Sequence, residues 1–259
     1  IDIHNHSESG LVREGAAANQ VSQGITTVLV GPDGGSPFPL SEYFGKLQGK
    51  IAPNVGAFIG HASLREQVMN KDYRRQTTGA ELEKMLILMR QAMREGAFGL
   101  SSGLEYDVGF SASTEELIAL SKVAAKYDGI YMTHLRDEEE GLLDAIREAI
   151  RIGKEARIPV QISHIKAVNR NVWGKSTEAI ALIETERKNG FDITADVYPY
   201  TAWASTITVL VPSRRHEDRA EIEKGLQNVG GADKVLVTSC AALRDYEGKT
   251  LEEIERAWR

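Results

Sequence analysis

Seven short apolar runs open roughly every 30 residues, near positions 1, 25, 54, 97, 129, 158 and 191. That interval is the length of one βα unit. The runs include Ile25-Thr-Thr-Val-Leu-Val30, Val55-Gly-Ala-Phe-Ile59, Ala97-Phe-Gly-Leu100, Ile130-Tyr-Met-Thr133, Ile158-Pro-Val-Gln-Ile162 and Phe191-Asp-Ile-Thr-Ala-Asp-Val197. Runs of this kind read as buried strands of a parallel sheet. The stretches between them carry helical spacing. Leu82, Met85, Leu86, Met89 and Met93 fall on one face over residues 81–95. A Thr114-Glu-Glu-Leu117 start opens a second helix, and residues 141–153 read as a third, ended by Gly153. Repeated βα units predict an α/β chain, and seven regular ones favour a (β/α)8 TIM-like barrel over a doubly wound sheet. A further run, Val235-Leu-Val-Thr-Ser239, has the pattern of an eighth strand.

The 259 residues, 42% of them hydrophobic, suit a single barrel domain over 1–259. The formal net charge of -6 argues against a nucleic-acid surface, which would be basic. No apolar run approaches the ~18–20 residues needed to span a bilayer. The lone Cys240 rules out an internal disulfide, and a cytoplasmic place is the default expectation. The chain opens inside the strand-like Ile1-Asp2-Ile3-His4 and closes on an unfinished helical pattern over 251–259, which reads as a piece of a longer protein.

Histidines mark the strand ends. His4 and His6 lie two apart on the first strand, so their side chains share a face. Two imidazoles on one face can share a zinc ion at about 2.0–2.1 Å each. His134 ends Ile-Tyr-Met-Thr-His and His164 ends Val-Gln-Ile-Ser-His, one βα unit apart. Active sites of βα barrels sit at the C-terminal ends of the strands. With only six histidines in the chain, four at strand ends point to a metal site. Glu105 follows the fourth strand and is either a carboxylate bridging two metals or an exposed loop residue. Asp33 lies in Gly31-Pro-Asp-Gly-Gly35, which is strong turn chemistry, and it reads first as a turn residue and second as a ligand. His61 also ends a strand, placed either to orient a ligand or to touch metal. Lys166, Arg136, Tyr198 and Tyr200 share the rim, where they could meet an anionic substrate group or simply pack and form salt bridges.

Several segments together resemble the D-aminoacylase (N-acyl-D-amino-acid deacylase) family of the amidohydrolase superfamily. They are Asp2-Ile-His-Asn-His-Ser7, Gln23-Gly-Ile-Thr-Thr-Val28, Gly99-Leu-Ser-Ser-Gly-Leu-Glu-Tyr106, Thr133-His-Leu-Arg-Asp-Glu138, Gln161-Ile-Ser-His-Ile-Lys166 and Thr194-Ala-Asp-Val-Tyr-Pro-Tyr200. The resemblance implies a distorted barrel with zinc at its mouth, one or two ions with two favoured. His4 and His6 would hold one position, and His134 and His164 the other. Many family members carry a ligating cysteine where this chain has Asp33. That departure implies a two-metal site bridged by Glu105, with Asp33 left as a loop residue. Glu105, His134 and His164 would then be catalytic. Lys166, Tyr198, Ser205 and, from its rim position, Arg136 would bind the substrate. The implied reaction is metal-assisted hydrolysis of an N-acyl-D-amino acid to a carboxylate and a free D-amino acid. The expected partner is thus a small molecule, with no nucleic acid and no membrane.

In the family, the acid that protonates the leaving amine is an aspartate on the eighth barrel strand. Val235-Leu-Val-Thr-Ser-Cys240 resembles a segment before that strand, and Asp245 is out of place for the role. The chain is therefore expected to stop before the barrel closes and to lack the family's small β-domain. Two alternatives stand beside this reading. One is a cyclic-amide hydrolase of the dihydroorotase or hydantoinase kind, in which a bridging lysine is usual after the fourth strand. The other is a catalytically incomplete metal-binding fragment.

Overall fold

The computed structural model describes residues 1–258. Eight strands form: β1 (Asp2–Asn5), β2 (Thr27–Val30), β3 (Asn54–Ala57), β4 (Ile59–Gly60), β5 (Gly99–Gly103), β6 (Ile130–His134), β7 (Val160–Ile162) and β8 (Ile193–Ala195). All pair in parallel, in two sheets of order β1-β2-β3 and β4-β5-β6-β7-β8. β3 and β4 divide a single apolar run of the sequence at Phe58. Its N–H donates to Val30 O, while Phe98 N–H donates to Ala57 O, so residues 57–59 pass the chain from one sheet to the other. The strand side chains Val28, Val30, Ala57, Ile59, Leu100, Tyr131, Met132, Ile162 and Ile193 are all buried. Burial throughout is what a parallel sheet covered by helices requires.

The described chain forms two compact units. The first comprises Ile1–Lys166 with Thr177–Tyr198, and the second Ala167–Ser176 with Pro199–Arg259. One domain is expected from length, and the burial pattern explains the division. The apolar runs that repeat through the first unit stop after residue 197, and beyond it the buried hydrophobic side chains are Val209, Val211 and Ile254. The second unit carries the helices Arg219–Val229 and Leu251–Trp258 and, among the described residues, no strand. The run Val235–Ser239, strand-like in sequence, makes one isolated antiparallel bridge, Leu236 to Thr250.

The helices of the first unit bury the faces their spacing marks. Helix Gly79–Arg94 buries Met85, Met89, Ala92 and Met93. It starts on a complete capping box: Thr78 Oγ1 accepts from Glu81 N–H, and the Glu81 carboxylate accepts from Thr78 N–H at 2.8 Å. Thr78→Ala is expected to destabilise the protein by about 1 kcal/mol, read as a lower midpoint in urea at unchanged slope.

Helix Leu142–Ala156 does not end at Gly153 as the sequence suggests. It ends at Arg157, which takes a left-handed φ of 56°. Gly153 lies inside the helix because β7 passes too close for a side chain. A Cβ there would come within 2.4 Å of the Phe191 ring and of Val160 Cγ2.

Candidate metal centre

Parallel strands deliver their C-terminal ends to one side, and the residues that follow those ends converge. His4 lies on β1 and His6 just beyond it; Asp33 follows β2, Glu105 follows β5, His134 closes β6, and His164 follows β7. His4 Nε2 and His6 Nε2 each lie 3.1 Å from Asp33 Oδ2. His164 Nε2 lies 3.6 Å from Asp33 Oδ1 and 2.9 Å from His134 Nδ1. On its other edge His134 Nε2 meets Glu105 Oε2 at 2.8 Å. Three sets of side chains bring their donor atoms within 4.8 Å of one another: His4, His6 and Asp33; Asp33, His134 and His164; Glu105, His134 and Glu138.

Asp33 is therefore the carboxylate common to both histidine pairs, while Glu105 reaches only His134. In this arrangement Asp33, read first as a turn residue, touches both histidine pairs, and Glu105, expected as the bridge, touches one histidine. The two readings of Asp33 coincide in one residue. It does occupy a tight turn, with φ 55°, and that conformation aims its carboxylate at the imidazoles. Burial alone would raise the Asp33 carboxyl. The imidazoles of His164, His4 and His6 outweigh it and hold the group far below the usual carboxylate range. In return Asp33, with Glu138, raises His164 to about 9 against the lowering effect of burial.

Two site carboxylates were not singled out in the sequence. Glu138 is almost fully buried and lies 3.1 Å from His164 Nδ1. Burial would raise it, but His164, His134 and Lys166 hold it low. Asp196, after β8, accepts from the His164 backbone N–H at 2.6 Å and from Gln161 Nε2 at 2.9 Å. Each follows a strand end, as the histidines do, and each stands inside a family-like segment. That was the available signal.

The rim residues divide. Lys166 Nζ sits 2.6 Å from Glu138 and 2.7 Å from His164 Nδ1, with the Tyr198 ring centroid 5.7 Å away. Tyr198 is pushed up to about 12, by burial first and then by the Glu138 charge. Arg136, expected to bind substrate, is committed elsewhere. It pairs bidentately with Glu148 at 2.8 Å and donates to the carbonyls of Phe110 and Ala112. The fork of its guanidinium is filled by the protein itself. Ser205 belongs to the second unit and is exposed there. Tyr200 is exposed too.

His61 joins none of the three donor sets. It is fully buried, with Nε2 2.7 Å from Glu116 Oε1. Arg65 Nη1 lies 2.8 Å from both Glu116 oxygens, and Thr77 Oγ1 donates to the second of them. Arg65 Nη2 donates to the carbonyls of Tyr73 and Arg75. This is a structural ion cluster that ties helix His61–Met69 to helix Thr114–Ala125.

An open cavity of about 480 Å³ lies at the mouth of the site, against His6, Asp33 and Tyr106. Histidine pairs and carboxylates thus gather at the ends of parallel strands, in donor sets that could hold a metal ion. No family model matches the sequence. Individual proteins do. The chain is 31% identical to a D-aminoacylase of Alcaligenes xylosoxydans xylosoxydans over 98% of its own length and 54% of that protein's. It matches a crystal structure of N-acyl-D-glutamate deacylase from Bordetella bronchiseptica, complexed with zinc and a phosphonate mimic of the tetrahedral intermediate, with TM-score 0.86 and 29% identity. That match covers 99% of this chain and 55% of the other. A D-aminoacylase structure described by its binuclear metal centre matches with TM-score 0.82 and 31% identity, over 99% of this chain and 55% of the other. The chain thus spans about half the length of these relatives. It belongs to the D-aminoacylase family of amidohydrolases.

Proposed function

We propose that the protein hydrolyses the amide bond of N-acyl-D-amino acids with the help of zinc, on a (β/α)8 barrel scaffold. The observation that carries this reading is the position of Asp33, one carboxylate shared by two histidine pairs at the ends of parallel strands. The donors fit a cation. Asp33 Oδ1 and His4 Nδ1 are buried polar atoms with no hydrogen-bond partner among the protein's own groups, and a cation between the donors would supply one to Asp33 Oδ1. His4, His6 and Asp33 would hold one ion, and Asp33, His134 and His164 a second. Zinc in such a donor set supplies Lewis-acid polarisation of a carbonyl and activation of water at neutral pH.

The chain's own residues would orient the substrate and hold protons. Lys166, its ammonium paired with Glu138, would take the free carboxylate of the acylated amino acid. Tyr198 stays protonated across the physiological range, so its hydroxyl is a donor and not a competing anion. Glu105, 2.8 Å from His134 Nε2, would carry a proton at the ring's edge. With the carboxylate and the amide held, the two hands differ only in where the side chain and the α-hydrogen point, so selection for one hand would come from a rim that admits the side chain on one side.

The complete protein is expected to release D-amino acids from N-acetyl-D-amino acids, to lose that activity on chelation and to regain it with zinc. L-isomers are expected to be poor substrates. Equal rates on both hands would overturn the stereochemical reading, and chelator-resistant hydrolysis the metal reading. Faster turnover of dihydroorotate or hydantoins would favour a cyclic-amide hydrolase instead.

A further inference from the structure

The turn that carries Asp33 is held by a hydroxyl far away in sequence. Gly31, Asp33 and Gly34 all have left-handed backbone, at φ 79°, 55° and 84°. Glycine takes such angles without cost, and aspartate is one of the few other residues that tolerate them. Ser101 on β5 is fully buried and reaches both ends of this turn. Its Oγ donates to Gly31 O at 2.6 Å and accepts from Gly34 N–H at 3.2 Å. Among the described residues it is the one side chain hydrogen-bonded to both glycines that flank Pro32-Asp33.

The packing leaves the turn no alternative seat. A Cβ on Gly103 would come within 2.3 Å of Asp33 O, and one on Gly60 within 2.2 Å of Gly34 O. The turn lies flush against the backbone of β4 and β5, and Ser101 sets its position along them. The next residue, Ser102, points the other way, as alternate residues of a strand do. Its hydroxyl meets Tyr131 and Thr133 and does not touch the turn.

We propose that Ser101 is a positioning residue for the metal centre: its hydroxyl fixes the Gly31–Gly34 turn so that the Asp33 carboxylate lies between the two histidine pairs. The inference rests on the reading of those side chains as metal donors. Groups that orient a ligand from behind change metal affinity by about 10–100-fold when removed. Ser101→Ala should therefore weaken zinc binding by a factor in that range and alter the visible absorption bands of the cobalt-substituted protein, which report ligand geometry.

General loss of stability must be separated from loss of positioning. Thr77→Val serves as the control, because Thr77 bonds Glu116 in the buried ion cluster away from the donors. It should lower thermal stability yet leave zinc affinity and the cobalt spectrum as in the unsubstituted protein. Ser101→Cys keeps the packing and weakens both bonds, so it reads the same loss should Ser101→Ala fail to fold. Unchanged zinc affinity and cobalt spectrum in a folded Ser101 variant would overturn the proposal while leaving the metal reading intact. Unsubstituted protein that takes up neither zinc nor cobalt would overturn both.

Discussion

Asp33→Asn is expected to remove most of the protein's metal binding. Asparagine has the shape of aspartate but lacks the charge that both histidine pairs share. Orienting groups alone are worth about 10–100-fold in metal affinity, and a carboxylate belonging to two donor sets should cost more than that. The number of ions held per chain should fall together with the affinity, measured by elemental analysis and calorimetric titration. Glu105→Gln is the informative comparison, since Glu105 meets His134 alone among the histidines. Its effect should be smaller and confined to one ion. If Glu105→Gln were the more damaging change, Glu105 would be the bridge and Asp33 the accessory group.

A second large effect is expected away from the metal centre. Glu116 and Arg65 are both essentially inaccessible to solvent. Glu116→Gln leaves the Arg65 guanidinium buried without its counter-ion. Breaking a buried pair in this way costs about 3–5 kcal/mol. At ~2–4 °C per kcal/mol for a domain of this size, the melting temperature should drop by roughly 6–20 °C. Replacing the pair together, as Arg65→Met with Glu116→Leu, should cost less than Glu116→Gln alone, because no charge is then stranded. A loss below about 1 kcal/mol for Glu116→Gln would show that water reaches the cluster.

The same cluster gives stability a direction with pH. Burial would raise Glu116, but His61 and Arg65 overcome it and bring the group from 4.5 to about 2. A carboxylate lowered on folding contributes stability that is complete above its unfolded value. That contribution is lost as pH falls from about 4.5 towards 2. Glu116→Gln should flatten the stability profile across that window.

The sequence discloses the four strand-end histidines for a definite reason. His134 and His164 each terminate an apolar run, and His4 and His6 alternate along the strand-like opening; these strands recur at about the length of one βα unit, so local pattern and position in the fold coincide. The carboxylates carry no such mark. Glu138 and Asp196 lie just past strand ends, where acidic residues are ordinary loop residues, and their meeting with His164 is a long-range event. Pro-Asp-Gly reads as turn chemistry, and Asp33 does occupy a turn; that the same turn aims its carboxylate at the imidazoles is a matter of long-range packing. Arg136 lies two residues from His134, which suits either a substrate contact or a rim salt bridge; the structure pairs it with Glu148 on the following helix, where no strand-end argument looks. Gly153 has the composition of a helix stop, yet it serves a close approach to Phe191 and Val160 that only the packed structure reveals.

The donors on β1, β6 and after β2 and β7 are separated by up to 160 residues of chain, from His4 to His164. In the unfolded chain such distant groups meet rarely, because closing so long a loop is entropically unfavourable. Two ions that share Asp33 and engage the two histidine pairs between them would bind the folded first unit far better than the unfolded chain, and so would act as a tie between its first strand and its later ones. The metal centre is then also a reporter of assembly: full affinity exists only once the parallel sheets have formed from end to end.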